Sequence, residues 1–386
     1  MNTPVRIESI CVRQIERFAR ETLSRLQPDE VVPVGQVRGK AYAANPLAAD
    51  SDVGLLVAYS GTRCVGYLGI MPGQVMIDGT PQKLHWFSSW YVDPNARQSG
   101  AGILLLMKAL SLDYDFAVTG TSRDADEVYQ ALHFTEIKPL TYWTMFIDTV
   151  DVVSTSAAFA TRVFRRLRLP KQLPQAVGKG SKRLLYPPLK RAAYAVLSSQ
   201  AASRLAGVTV TEMRDVRSSN LGNVATQAPH FHRGPEVVQW MLDYPWFTER
   251  KEEATPRYYF HEHRDTWRHV ALRIESPRLS SPVLAALSLS RKDGLVIVKL
   301  LDHTCTTSAE RDLVCDVVIR RAAEYRADRI VFPDAFQSSF RRYRLLRLAA
   351  KKRSRRYFCK PRPGGPLAAV LSSVQLDMTD GDSAFS

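Results

Sequence analysis

Hydrophobic and polar positions along the chain predict a mixed sheet, and its clearest strand–loop–helix unit lies within residues 84–112. Residues 84–92 are rich in aromatic and β-branched side chains and predict a strand. Asp93 and Pro94 end that strand, because proline has no amide donor and restricts the residue before it. A helix is expected from about Gly102 to Leu112. Its predicted apolar face consists of Ile103, Leu104, Leu106, Met107 and Leu110.

The flanking segments extend this unit into an ordered series of elements. Before it the pattern predicts a short strand at residues 5–7, a helix at 12–26 and strands at 54–59, 62–71 and 74–77. Asp78-Gly79 between two such runs predicts a tight hairpin. After the unit come a strand at 115–121, a helix at 123–132 and a strand at 141–147. The first 150 residues therefore predict an α/β domain.

The loop between the organising strand and helix has glycines at two alternate positions, Gly100 and Gly102. Glycines where a helix begins let the backbone approach a ligand and point free amides at it. Those amides and the helix dipole favour an anion such as a phosphate. Arg97 offers the same group a charge-assisted contact.

Arg97-x-x-Gly100-x-Gly102, after a strand that ends Val92-x-Pro94, resembles motif A of the GNAT acyltransferases. The resemblance implies that the loop holds the pyrophosphate of acetyl-coenzyme A, or of another acyl-CoA, as co-substrate. It also implies that the end of the strand binds the pantetheine arm. The cofactor-binding residues expected on this basis are Tyr91, Val92, Arg97, Gln98, Ser99, Gly100, Ala101 and Gly102.

A second segment supports the resemblance. Ala125-x-x-Val128-Tyr129-x-x-Leu132-His133-Phe134 is similar to the family's A-x-x-x-Y-x-x-x-G-F helix ending. His133 stands where glycine is usual, so we expect this helix to end differently. Tyr129 is the expected catalytic acid, because a phenol with an ordinary pKa of about 10 can protonate a departing thiolate; a tyrosine that only packs on the sheet is the alternative.

The general base is not assigned by the sequence. Residues 84–92 contain no carboxylate where many family members place a glutamate. His85 has a suitable ordinary pKa, although a lone histidine on a half-buried strand is more often simply packed. Water relayed through Ser88 or Ser89 is the other candidate.

From Val208 the same order of elements recurs. Strands are predicted at 208–213, 257–261, 268–274, 283–290, 295–301, 329–332, 357–360 and 370–376, and helices at 235–242, 308–325 and 335–348. Asp293-Gly294 marks one hairpin. Residues 301–307, at the position of the loop, contain no glycine. The prediction is therefore two tandem GNAT-like domains, 1–150 and 208–386, of which the second is degenerate and serves as a substrate-binding or structural half.

Basic segments separate and follow these elements. Residues 151–207 predict a linker with basic character, and the arginines of 162–168 interleave with Phe164 and Leu167, so contact with an anionic membrane is an alternative there. Residues 341–356 hold nine basic side chains and no acid. A solvated face is the plain interpretation, with a phosphate-bearing acceptor second and nucleic acid third.

Composition narrows the function classes. The net charge of +15 suits an anionic partner, but no nucleic-acid-binding signature accompanies it. Five scattered cysteines predict reduced thiols in a cytoplasmic protein. His230 and His232, like His261 and His263, lack a third ligand at a recognisable spacing, so no metal site is predicted. No run is apolar enough to cross a bilayer.

The function predicted from these features and the resemblance is an acyl-CoA-dependent N-acyltransferase. Its acceptor would be a small-molecule or saccharide amine, including one on a cell-envelope or polysaccharide precursor, which rests on the resemblance alone. An aminoacyl-tRNA-dependent transferase is the alternative within catalysis. A non-catalytic binding protein that keeps the fold is the alternative outside it.

Overall fold

The computed structural model describes residues 4–27, 30–147, 180–223 and 228–381. Within 180–223 it describes the side chains from residue 190 onward. Its helices are α1 Val12–Arg25, α2 Gln36–Ala43, α3 Ala101–Leu110, α4 Arg123–Ala131, α5 Gly180–Arg204, α6 Pro235–Asp243, α7 Ser308–Glu324, α8 Gln337–Arg341, α9 Arg344–Ala349 and α10 Leu367–Val370. Its strands are β1 Val5–Cys11, β2 Val53–Ser60, β3 Arg63–Ile77, β4 Thr80–Val92, β5 Phe116–Thr119, β6 Thr135–Phe146, β7 Thr209–Met213, β8 His230–Phe231, β9 Thr266–Glu275, β10 Val283–Lys292, β11 Leu295–His303, β12 Arg329–Pro333 and β13 Ala350–Lys360.

The chain forms two compact units that cut across the predicted boundaries at residues 150 and 208. The first unit contains Met1–Leu140, Arg214–His269 and Ser354–Ser386, and the second contains Thr141–Met213 and Val270–Arg353. Both are mixed α/β structures, as the sequence predicts. The predicted division followed position along the chain, whereas the units are assembled from separate stretches of it.

The sheet of the first unit has the strand order β1-β2-β3-β4-β5-β13. Neighbours from β1 to β4 are antiparallel, β4 and β5 are parallel, and β13 is antiparallel to β5. The predicted hairpin at Asp78-Gly79 is confirmed: both residues have positive φ (50° and 74°), the conformation that a two-residue hairpin loop requires.

The second unit repeats this order as β7-β9-β10-β11-β12-β6. Here β11 and β12 are the parallel pair, and β6 runs antiparallel to β12. The hairpin at Asp293-Gly294 is again confirmed by positive φ values of 52° and 77°. In each unit the strand beside the parallel pair comes from the other half of the sequence.

Each sheet is covered by helices that bury alternate strand residues. In the first unit Leu55 and Val57 of β2 belong to a core that includes α1, whereas Leu56 and Ala58 belong to the core that includes α3. This alternation is the period of two of a strand that is buried on both faces. The second unit has one core, built on α5, α7 and α8.

Several predicted elements differ from the structure. The strands predicted at 62–71 and 74–77 form one strand, β3, and the helix predicted at 335–348 is divided into α8 and α9. Part of the predicted linker is the helix α5, whose Tyr194, Leu197 and Ala201 are buried in the core of the second unit. Residues 257–261 form turns rather than a strand, and residues 370–376 form short helical turns and coil. Aromatic and β-branched side chains favour strands locally, and the tertiary structure overrides that preference here.

The cysteines are free thiols, as predicted, and Cys64, Cys315 and Cys359 are buried. No helix within the described residues is long and apolar enough to cross a membrane. No cluster of three or more metal-ligating side chains occurs in the same part of the chain. The predicted membrane contact of residues 162–168 lies outside the described residues.

Candidate functional site

Strands β4 and β5 of the first unit pair and then diverge. Residues 85–87 pair with residues 116–118, and β4 continues for five residues beyond Phe87, whereas β5 ends at Thr119. Along those five residues β4 is paired with β3 only, within the described part of the chain. The other edge of β4 therefore leaves backbone groups available to a ligand.

A β-bulge lies where the strands part. Gly69 pairs with Ser89 and Ile70 with Phe87, so Ser88 is an extra residue on β4. Consecutive strand residues normally point to opposite faces, but a bulge breaks that alternation. A Cβ on Gly69 would lie 2.7 Å from the Ser89 hydroxyl and 2.8 Å from the hydroxyls of Ser88 and Tyr42, which hydrogen-bond to each other. The three hydroxyls thus converge on one point, which only a glycine leaves open.

A cleft of about 280 Å³ opens between the diverging strands. Its lining consists of Phe87, Ser88, Ser89, Trp90, Val118, Thr119, Gly120, Thr121, Ser122, Ala125, Tyr129, Tyr259 and Phe260. These side chains are aromatic, small or hydroxylated, and none of them is charged. An elongated neutral ligand arm with amide groups matches this lining, because such an arm pairs with backbone groups and packs on apolar rings.

The predicted catalytic tyrosine lies in the wall of this cleft. Tyr129 is on α4, and its ring packs against Phe87, Trp90 and Phe134 at centroid distances of 6.1, 5.9 and 5.1 Å. Only 2% of its surface is exposed. The cleft is therefore its route to a ligand.

The end of α4 closes as it would with glycine, contrary to the prediction. His133 adopts φ +60°, and the amides of His133 and Phe134 donate to the carbonyls of Gln130 and Tyr129, both at 2.9 Å. This is the Schellman arrangement, with the apolar contact between Phe134 and Tyr129 that accompanies it. His133 accepts the left-handed conformation, and Tyr129 is fixed by the helix end that follows it.

The predicted phosphate loop is more helical than the sequence suggests. Pro94–Ser99 forms a 3-10 helix, and Asp93 caps it by accepting from the amides of Asn95 and Ala96 at 2.9 and 2.8 Å. Gly100 then adopts φ +75° and is the N-cap residue of α3. The exposed Arg97 makes no ion pair with another described residue.

The two glycines of the loop do different things. A Cβ on Gly100 would meet no atom within 4 Å, so space does not require a glycine there. The left-handed backbone conformation of this residue does. A Cβ on Gly102 would lie 3.2 Å from the Trp90 ring and 3.4 Å from Val92 Cγ2. Gly102 therefore lets the first turn of α3 pack closely against the end of β4.

The first turn of α3 presents amides beside the cleft. The Ala101 amide donates to the Ser99 hydroxyl at 3.3 Å, a long bond, and the Leu104 amide closes the first helical turn on the Gly100 carbonyl at 3.0 Å. Helix geometry leaves the amides of Gly102 and Ile103 without an intrahelical acceptor. They are the donors that remain for an anion at this helix end.

The predicted apolar face of α3 is only partly buried. Leu105, Leu106 and Ala109 are buried, whereas Ile103 and Met107 are 48% and 53% exposed. Nine of the ten residues in this helix are apolar or glycine, so periodicity alone did not identify the buried side.

His85 is not placed to act as a base. It lies before the strands diverge and is fully buried, and its ring stacks on Tyr114 at 3.7 Å. Neither ring nitrogen has a hydrogen-bond partner among the described residues, and burial lowers the pKa of His85 to about 3. His85 is therefore a neutral core residue, which agrees with the packed alternative.

One wall of the cleft was missed by sequence reasoning. Tyr259 and Phe260 come from residues 255–263, far along the chain, and Tyr259 packs on Tyr91 at 4.4 Å. The buried Glu262 carboxylate holds this segment by accepting from the amides of Thr255 and Arg38 at 3.0 and 2.9 Å. The run of three aromatic residues in 258–260 was its signal in the sequence, and we predicted a strand from it.

No protein-family model matches the chain, and its sequence matches no curated protein. Solved structures similar in fold include a GCN5-related N-acetyltransferase from Anabaena variabilis, with 11% identity, a TM-score of 0.46 and coverage of 93% of this chain and 73% of that one. A tandem GNAT protein from the clavulanic acid biosynthesis pathway has 13% identity, a TM-score of 0.45 and coverage of 94% and 99%. N-myristoyltransferase of Saccharomyces cerevisiae, with bound myristoyl-CoA, has 8% identity, a TM-score of 0.45 and coverage of 95% and 85%. The likeness to each of these structures is one of fold alone.

Proposed function

We propose that the protein is an acyl-CoA-dependent N-acyltransferase whose first unit binds the donor. The observation that carries this proposal is the divergence of β4 from β5 directly beside the first turn of α3. The pantetheine arm would lie in the cleft, along the edge of β4 at Tyr91 and Val92. The pyrophosphate would lie against the amides of the Gln98–Gly102 loop and the start of α3, with Arg97 contacting it from solvent.

In the proposed reaction the acceptor nitrogen attacks the thioester carbonyl at the cleft. A C–N bond forms, the C–S bond breaks, and CoA leaves as the thiolate. The Tyr129 hydroxyl would protonate that thiolate, and the nitrogen would lose its proton to water held by Ser88 and Ser89. The convergence of these two hydroxyls at the β4 bulge, where Ser88 also hydrogen-bonds to the Tyr42 hydroxyl, supports that role for them.

The acceptor would enter between β4 and the segment that carries Tyr259 and Phe260. Tyr259 is 57% exposed and rests on Tyr91, so it offers an aromatic face at the mouth of the cleft. A small-molecule or saccharide amine could stack on that face. The second unit would serve substrate binding or support the fold.

Calorimetry with acetyl-CoA is the first test of the donor. Micromolar binding by the full chain is expected, and absence of binding would overturn the proposal. Turnover on a panel of sugar amines, aryl amines and alkyl amines then identifies the acceptor class. Binding without turnover on any amine would instead favour a non-catalytic binding protein, and the absence of CoA binding together with activity on aminoacyl-tRNA would favour the alternative transferase.

Tyr129→Phe tests the proposed acid. It keeps the ring contacts of Tyr129 and removes the hydroxyl, so we expect kcat to fall about 100-fold while acetyl-CoA affinity stays the same. Thr121→Val removes another hydroxyl from the cleft lining and is the control. Unchanged turnover in Tyr129→Phe would remove the catalytic role and leave the donor-binding proposal standing.

A further inference from the structure

A basic surface on the second unit is not used by the proposed reaction. It is formed by the end of α8, by α9 and by the start of β13, and its exposed cations are Arg341, Arg344, Arg347 and Lys352. No acid interrupts residues 341–356. Lys352 pairs with Asp334 at 3.3 Å, whereas Arg344 and Arg347 have no carboxylate partner among the described residues. We call this set the α9 surface.

Two leucines project from the middle of the α9 surface. Leu345 is 37% exposed and Leu348 is 68% exposed, and their spacing of three residues places them on one side of α9. Between them Leu346 is 1% exposed and anchors the helix in the core of the unit. The helix is therefore fixed by one leucine while two others face solvent, flanked by Arg344 and Arg347.

One aromatic ring holds two of these cations in place. Arg341 and Lys352 lie over the Trp143 ring at 5.7 and 5.9 Å. Lys351 and Arg353, which alternate with Lys352 along β13, lie over the Phe146 ring instead and are not part of this surface. Cations packed in this way lose less conformational freedom when they contact an anionic partner than freely rotating side chains lose. The α9 surface is thus a cationic patch of which Arg341 and Lys352 are held in place before a partner binds.

We propose that the α9 surface docks on an anionic lipid bilayer. Leu345 and Leu348 would enter the boundary between headgroups and acyl chains, and the surrounding arginines and Lys352 would contact headgroup phosphates. A nucleic acid would satisfy the cations but leave both leucines in water, since a phosphate backbone offers no apolar surface. A bilayer is the partner that uses both features together.

The test is co-sedimentation of the full chain with vesicles. Vesicles of phosphatidylcholine mixed with phosphatidylglycerol should bind the chain at least about 10-fold more tightly than phosphatidylcholine alone, and added salt should weaken that binding. The Leu345→Ser/Leu348→Ser variant and the Arg344→Gln/Arg347→Gln variant should each bind mixed vesicles about 10-fold more weakly. Thermal melts equal to those of the wild type show that each variant is folded.

Matched controls separate this surface from charge in general. Arg278→Gln/Arg291→Gln removes two exposed arginines elsewhere in the same unit, and Val196→Ser removes an exposed apolar side chain from α5. Both should bind vesicles as the wild type does. The proposal is overturned if the wild type does not bind mixed vesicles, or if the leucine variant binds them normally. Displacement of the vesicles by duplex DNA together with normal binding of the leucine variant would assign the surface to nucleic acid.

Discussion

The starts of α3 and α7 occupy equivalent places in the two units and are built differently. In the first unit three residues of β4 pair with β5, and in the second residues 297–299 pair with 329–331. Both units have a bulge near this point, at Ser88 and at Leu301. The helix that joins the parallel strands then begins with Gly100 in one unit and with Thr307 in the other.

At the start of α7, side chains of the protein itself accept hydrogen bonds from the backbone amides. The Thr307 hydroxyl accepts from the Glu310 amide at 3.2 Å, and the Glu310 carboxylate accepts from the amides of Thr306 and Thr307 at 2.6 and 2.9 Å. Burial opposes ionisation of Glu310, but these hydrogen bonds outweigh it and lower its pKa. An external phosphate would have to displace that carboxylate.

At α3 no carboxylate takes this position. Ile103 stands where α7 has Glu310, and it is 48% exposed. Two helices with the same topology thus differ in whether a carboxylate of the first turn accepts from the amides that directly precede the helix. The difference is the physical reason to place the donor in the first unit, and it can be tested by exchanging the two residues.

Transfer of the acidic residue to α3 should have the largest effect. By analogy with Glu310, Ile103→Glu would direct a carboxylate at the amides of Ser99 and Gly100, within the loop proposed to hold pyrophosphate. We therefore expect acetyl-CoA affinity to fall about 100-fold, roughly 3 kcal/mol. The side chain is half exposed, so the fold should tolerate the change. Isothermal calorimetry measures the effect. Ile103→Gln introduces a side chain of the same shape as glutamate without its charge, so it should lose much less acetyl-CoA affinity. Equal losses of affinity in the two variants would place the phosphates elsewhere.

The next contrast is between the two pairs of parallel strands, β4 with β5 and β11 with β12. His85 on β4 and Ile297 on β11 are the first residues of the two parallel pairings. Burial lowers the pKa of His85 to about 3, so the unfolded chain binds a proton that the native chain does not at mildly acidic pH. Stability is then lost as the pH falls below about 6.5, by as much as about 2 kcal/mol at about pH 5.

His85→Ile should remove that part of the pH dependence. Urea unfolding measures the free energy of unfolding at about pH 7.5 and at about pH 5. We expect the loss between these two pH values to be about 2 kcal/mol smaller in the variant than in the wild type. His133→Gln, at an exposed histidine, should keep the wild-type slope. A slope that is unchanged in His85→Ile would mean that this ring is protonated in the folded protein.

Removal of the cap of α7 should have a smaller effect and should spare the donor. Glu310→Ala loses the hydrogen bonds to Thr306 and Thr307, which costs about 1 kcal/mol of stability. Because the folded-state pKa of Glu310 is lowered, its contribution is present at neutral pH and lost as the pH falls through the acid range. Ser308→Ala, one residue into the helix, is the control in thermal melts. Acetyl-CoA affinity should be unchanged, and a loss would give the second unit a role in donor binding.

The sequence predicted the features that depend on short-range chemistry. Asp78-Gly79 and Asp293-Gly294 gave correct hairpins because positive φ at both loop residues is a local requirement. The repeated order of strands and the glycine at the start of α3 were likewise visible, since each follows from a local pattern. The difference between the start of α3 and residues 301–307 could also be predicted, because the latter contain no glycine. The capping hydrogen bonds of Glu310 at α7 could not.

The sequence did not predict what depends on distant parts of the chain. Tyr259 and Phe260 reach the cleft because Glu262 fixes their segment against the Arg38 amide, a contact between residues more than 200 positions apart. The strands β6 and β13 each complete the unit of the opposite half, and no periodic pattern encodes such an exchange. The predicted face of α3 failed for a different reason, because a helix that is apolar all round has no periodicity to read.

One helix end in each unit that lacks glycine provides the smallest test. His133 after α4 and Arg326 after α7 both close their helices with positive φ, 60° and 51°, and with paired amide bonds to the last turn. Each residue pays the cost that an L side chain has in the left-handed region, so His133→Gly and Arg326→Gly should each stabilise the protein by about 0.5–1 kcal/mol. Chemical unfolding measures both, and His133→Ala and Arg326→Ala, which keep a Cβ, should gain little. Similar gains at both sites would mean that the left-handed residue costs each unit the same at these helix ends, in contrast to the helix starts, where the units differ and where we propose that the donor binds. A gain at His133 alone would show that contacts within the second unit compensate for the conformation of Arg326.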